Sequence, residues 1–151
     1  MKKTTLLHII MILLTVLALT SLAADGGRKF TTTLTGAAEV SPTGVPNQGD
    51  PDGTGTATIT LNPGTGQVCW EIQVSGITLP AFAAHIHVAP TTAPGPVVVP
   101  LSAPDASGFT SGCTSADHSL IKDILKNPEN YYVNVHNTDY PAGALRGQLS
   151  K

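Results

Sequence analysis

Residues 56–74 constrain the fold more than any other stretch of the chain. Across 56–61, Ala57, Ile59 and Leu61 alternate with Thr56, Thr58 and Thr60. Across 68–74, Val68, Trp70, Ile72 and Val74 alternate with Cys69, Glu71 and Gln73. A period of two sends successive side chains to opposite faces of a strand, so each run has one apolar face. Between them stands Asn62-Pro63-Gly64-Thr65-Gly66, which is strong turn chemistry. The stretch therefore reads as a β-hairpin with one core face.

The rest of the chain follows the same logic. Residues 24–29 are polar and are expected to be flexible; residues 30–34 form a first strand ended by Gly36. Residues 41–55, with Pro42, Pro46, Pro51 and four glycines, make a long loop. Residues 84–88 form a strand with Ala84, Ile86 and Val88 on one face and His85 and His87 on the other. Val97-Val98-Val99 is a short apolar strand, and residues 102–112 read as loop with a strand near Phe109. Residues 117–126 are the one convincing helix. Leu120, Ile121, Ile124 and Leu125 form its stripe, Thr114 or Ser115 is available as cap, and Asn127-Pro128 stops it. Tyr131, Val133 and Val135 then alternate with Tyr132, Asn134 and His136, and residues 144–149 close the chain with Leu145 and Leu149 on the core face. Seven or eight strands, one short helix and no internal repeat predict an all-β fold, a β-sandwich or Greek-key barrel. The 15 glycines and 12 prolines among 151 residues, with only 12% charged, argue against a helical bundle.

The first residues read as an address. Lys2 and Lys3 precede an apolar run over 6–19, followed by Thr20, Ser21, Leu22, Ala23 and Ala24. A basic start, an apolar middle and small residues at the end describe a secretory signal over residues 1–23, cleaved after Ala23 or Ala24. An uncleaved membrane anchor is the alternative, because the run is about long enough to span a bilayer. His8 and the small residues at the end favour cleavage. No cysteine lies near the cleavage site, which excludes a lipid anchor there. Cleavage would take the net charge from −2 to −4, since it removes two lysines and no acid. The sequence thus predicts a mature protein that is secreted or periplasmic and free of the membrane. It offers no basic surface for nucleic acid.

Cys69 and Cys113 are the only cysteines, so one intramolecular pairing is possible. In an exported chain such a pair reads as a disulfide. Two free thiols or a soft metal site are the alternatives, and neither cysteine stands in a CxxC spacing. The bridge would lie outside the main core, since Cys69 opposes the apolar face of its strand.

Four stretches in order resemble the CHRD family, first described in chordin. They are Phe30-Thr31-Thr32-Thr33-Leu34-Thr35-Gly36-Ala37-Ala38-Glu39-Val40, Ala84-His85-Ile86-His87, Tyr132-Val133-Asn134-Val135-His136, and Tyr140-Pro141-Ala142-Gly143-Ala144-Leu145-Arg146-Gly147-Gln148-Leu149. The last is similar to the family's closing Gly-x-(Ile/Leu)-Arg-Gly pattern, with Ala144 where the family often has Glu. The resemblance covers residues 30–149. It implies an immunoglobulin-like or superoxide-dismutase-like β-sandwich. It also implies an exported binding or structural module, with an extracellular protein or glycan as partner and no established reaction.

A weaker similarity runs to copper/zinc superoxide dismutases, through His85-Ile86-His87, Gly112-Cys113-Thr114-Ser115-Ala116 before His118, then His136 and Arg146. The spacing from Cys113 to His118 is one residue short, and further zinc ligands have no obvious counterparts. The histidines stand on their own chemistry. His85 and His87, two apart on a strand, leave the same face about 6.5–7 Å apart at Cα. Their ring nitrogens can converge on one ion at about 2.0–2.1 Å. His136, on the polar side of its strand, offers a third ligand, and three neutral imidazoles suit Cu or Zn. The competing reading is structural: these histidines bond loop carbonyls and hold the end of the sandwich together, with Asn134 and Tyr132 as partners. His118 is expected at the surface. Arg146 reads as a structural clamp on loop carbonyls or on a carboxylate such as Glu39 or Glu71. Asp50, Asp52 and Asp139 make only a weak case for calcium. No nucleophile sits in a Gly-x-Ser-x-Gly context, so a hydrolase has no support.

Overall fold

The computed structural model describes residues 27–151. The expected signal segment, residues 1–23, lies outside the described residues. Eight strands carry the fold: β1 (Arg28–Thr35), β2 (Thr54–Asn62), β3 (Gln67–Ser75), β4 (Ala83–Val88), β5 (Val97–Leu101), β6 (Phe109–Ser115), β7 (Tyr131–His136) and β8 (Leu145–Gln148). One helix, α1 (His118–Lys126), lies between β6 and β7. All pairings are antiparallel, in the order β5-β4-β7-β8-β1-β2-β3-β6.

The sheet curls until its two edge strands, β5 and β6, come into contact. Its halves β5-β4-β7-β8 and β1-β2-β3-β6 act as the two layers of a sandwich. The seam is narrow, because β8 and β1 share a single register pair, Thr35 with Arg146. After β3 the chain leaves for the other layer to form β4 and β5, then returns as β6 beside β3, a Greek-key connection. The predicted hairpin is β2–β3, with Ile59 opposite Trp70 and Ala57 opposite Ile72.

The period-two faces meet in one core. Leu34, Ile59, Leu61, Val68, Ile72, Ala84, Ile86, Val133, Val135 and Leu145 are fully buried. Helix α1 covers the end of the sandwich with Ile121 and Ile124. Its cap is Asp117, which the sequence reading places inside the helix. The Asp117 carboxylate accepts from the backbone N–H groups of Ser119 (2.7 Å) and Leu120 (3.4 Å). Thr114 and Ser115, the expected caps, belong instead to β6. That strand is the one expected near Phe109, carried on to Ser115, and residues 102–108 are loop as expected. Strand β1 begins at Arg28, two residues earlier than expected, because Arg28 and Lys29 pair with Leu61 and Thr60.

Cys69 and Cys113 form a disulfide across directly opposed positions of β3 and β6, as the sequence predicts. In the chain-entropy model, closing a loop of this length contributes about 3–4 kcal/mol. The bridge lies on the outer face, with Cys113 exposed. Among the described residues, no helix is long and apolar enough to cross a membrane.

Candidate metal centre

Strand β7 is buried along its whole length, unlike any other strand of the sheet. Its odd-numbered residues face the hydrophobic core. Its even-numbered ones, Tyr132, Asn134 and His136, face a second and polar interior. Register brings partners to them from both sides: His85 and His87 of β4 lie opposite Asn134 and Tyr132, and Arg146 and Gln148 of β8 lie opposite Asn134 and Tyr132. Two loops roof this face, residues 89–96 and residues 137–144, and the buried Glu39 reaches into it from the first loop region.

The three predicted histidines come together. Their ligand atoms lie within 4.8 Å of one another, and among the described residues they are the one such group of three. Ring centroids are 5.1 Å apart for His85–His136, 5.4 Å for His85–His87 and 6.0 Å for His87–His136. His87 and His136 are each 8% exposed, while His85 is half-buried and forms the open side.

Hydrogen bonds fix which nitrogen is free in each ring. His87 Nδ1 donates to the Gly95 carbonyl (2.9 Å), and His136 Nδ1 donates to the Pro141 carbonyl (3.2 Å). A carbonyl oxygen only accepts, so both Nδ1 atoms carry the proton and both Nε2 atoms keep a lone pair. His136 Nε2 meets His85 Nδ1 at 3.2 Å. With His136 neutral, the proton of that contact sits on His85. His87 Nε2 is buried and has no hydrogen-bond partner. An orphaned lone pair of this kind costs free energy unless something else occupies it.

Burial also sets the charge. It holds the His85 imidazole below its ordinary value, helped by nearby His87. It does the same to His87, against the pull of the Gly95 carbonyl and Glu39. His136 is pushed down to about 4, mainly by burial and against its hydrogen bond to Pro141. All three rings are therefore neutral at pH 7, the form that binds metals. A three-coordinate ion at about 2.0–2.1 Å needs nitrogens about 3.5 Å apart. The His85–His136 pair lies near that spacing at 3.2 Å, and all three ligand atoms lie within 4.8 Å of one another.

The structural reading of these residues holds at the same time. The Nδ1 atoms of His87 and His136 tie down loops while their Nε2 atoms carry the lone pairs, that of His87 unpartnered and that of His136 met by His85, and outer-shell carbonyls orient metal-binding imidazoles in this way. Arg146, only 1% exposed, bonds loop carbonyls rather than a carboxylate: Nη1 donates to Ala93 (3.0 Å) and Nη2 to Pro90 (2.7 Å). Glu39 instead accepts from Asn134, whose amide also donates to the Leu145 carbonyl (2.9 Å). Arg146 does not point at the histidines. Its guanidinium lies over the Tyr132 ring at 3.6 Å, and that ring in turn stacks on His87 at 4.9 Å. An arginine steering anions to a metal, as dismutase chemistry would want, is therefore not placed here. His118 is exposed and bonds the Pro63 carbonyl (2.7 Å), far along the chain from the site. Gly95 and Gln148 were not singled out by the sequence. The one signal that could have found Gly95 is its place between Pro94 and Pro96, two residues short of β5.

The family model for the CHRD domain matches residues 30–149, and the chain belongs to that family. It is a structural or binding module of the CHRD type. No curated protein and no solved structure matches it.

Proposed function

We propose that this CHRD protein is an exported binding module whose polar interior holds a copper or zinc ion on His85, His87 and His136. The observation that carries this reading is the buried Nε2 of His87, free of any hydrogen bond, in a cluster whose three imidazole ligand atoms lie within 4.8 Å of one another. The donors are His87 Nε2, His136 Nε2 and His85 Nδ1. On binding, the His85 proton leaves Nδ1 and the ring takes its other tautomer, with Nε2–H on the half-buried side. Three imidazoles leave a fourth position of the ion open, toward that side. Export is supported by the basic and apolar leader and by the disulfide, which persists in oxidising compartments.

Metal analysis after exposure to excess Zn²⁺ or Cu²⁺ and desalting tests the reading. About one equivalent per chain is expected, and His87→Ala should abolish it. Less than roughly a tenth of an equivalent in the unaltered protein, or an ion that survives His87→Ala unchanged, overturns it. A second reading, contact with an extracellular protein or glycan, is favoured by Phe82. This residue is 57% exposed, with its ring 6.2 Å from that of His136 at the rim of the site. Partner binding through Phe82 would survive His87→Ala.

A further inference from the structure

Loop 89–96 is tied to the polar face at four points. Arg146 holds the Ala93 and Pro90 carbonyls. The Gln148 side-chain amide donates to the Ala89 carbonyl (2.7 Å). Tyr132 Oη accepts from the Gly95 N–H (3.1 Å), and the Gly95 carbonyl accepts from His87 Nδ1 (2.9 Å). Gly95 is pressed against β4 so closely that a Cβ there would meet the Val88 carbonyl oxygen at 1.9 Å. Only glycine can bring its backbone to that place. Tyr132 acts twice on one histidine, since its ring stacks on His87 with planes 10° apart while its hydroxyl fixes the residue that fixes His87.

We infer that loop 89–96 and the three-histidine site form one coupled unit, in which Tyr132 and Arg146 are positioning residues that set metal affinity without touching the ion. The inference rests on the metal reading above. Arg146 and Tyr132 place Gly95, the Gly95 carbonyl keeps the proton on His87 Nδ1, and that proton leaves Nε2 as the donor. Outer-shell partners of this kind typically account for about 10–100-fold in metal affinity. Coupling is reciprocal, so an ion on His87 must in turn hold the loop down. The loop presents Pro90, Thr91, Thr92 and Pro94 to solvent, so metal occupancy sets the order of an exposed surface.

The test uses the full mature chain and Zn²⁺ alone. Zinc affinity is measured by competition with a chromophoric chelator for the unaltered protein, Tyr132→Phe, Arg146→Lys and His87→Ala. Hydrogen exchange at the Gly95 amide is followed with and without zinc. Tyr132→Phe keeps the ring stack and removes only the hydroxyl, so it stays folded even if Arg146→Lys does not. Zinc binding about 10–100-fold weaker in Tyr132→Phe is expected, together with slower Gly95 exchange in the zinc-loaded unaltered protein. A residue with a merely structural role would lower the melting temperature and leave zinc affinity alone. Unaltered affinity in Tyr132→Phe, or Gly95 exchange indifferent to zinc, overturns the coupling while leaving the metal site standing. Absence of zinc binding in the unaltered protein overturns the metal reading itself and this inference with it.

Discussion

His136 gives the site its pH dependence. An unfolded imidazole takes its proton near pH 6.5, whereas folded His136 takes it near 4. Between those values the unfolded chain binds the proton and the folded one does not, so stability rises with pH across that window. The contribution is fully present above about pH 6.5 and is lost as the pH falls toward 4. Denaturant titrations of the metal-free protein at several pH values should show a loss of up to about 3 kcal/mol, and His136→Gln should flatten the profile. An equally steep profile in that variant would contradict the assignment. The shared polar face of the three histidines was legible from period two alone: His85 and His87 share a face because they are two apart, and His136 sits on the polar side of its strand. Their burial was not legible. It depends on the 89–96 roof, and that roof is held by Arg146, whose partners stand 53 and 56 residues away in sequence. Local pattern carries no information about such pairs.

Among the elements, α1 shows how tertiary pairing overrides local signals. Thr114 and Ser115 are good caps by residue type, but Val68 and Gln67 of β3 draw them into β6. The cap then falls to Asp117, whose carboxylate takes the free N–H groups of the first turn. Hydrogen bonds from Ser119 accordingly hold this carboxyl below the usual range. Asp117→Ala should lower the urea midpoint of unfolding at neutral pH, with no effect on the histidine cluster in the other layer. A variant as stable as the parent would show that the cap is dispensable. Strand β1 teaches the same lesson at the other end: polarity suggested a frayed lead-in, yet Arg28 and Lys29 extend the strand because β2 is long enough to pair with them. The hairpin β2–β3 was legible in full, since its turn and both its faces lie within one short stretch.

At the scale of the whole molecule, the all-β class and the sandwich followed from alternation and turn residues, but strand order did not. Which strand β3 recruits as its second neighbour is decided by the return of β6 from the opposite layer, and the Cys69–Cys113 pair fastens that choice. The same bond has a consequence for how the protein withstands cutting. The covalent ring it closes contains β4, β5 and the whole of loop 89–96. A protease that opens the backbone between Pro90 and Pro96 therefore releases nothing. The cut protein should run as one species without reductant and as two fragments with it, and two fragments without reductant would contradict this. Among secreted proteases, a severed loop would thus remain a hidden nick, its two ends kept within reach of each other by a bond in the opposite layer.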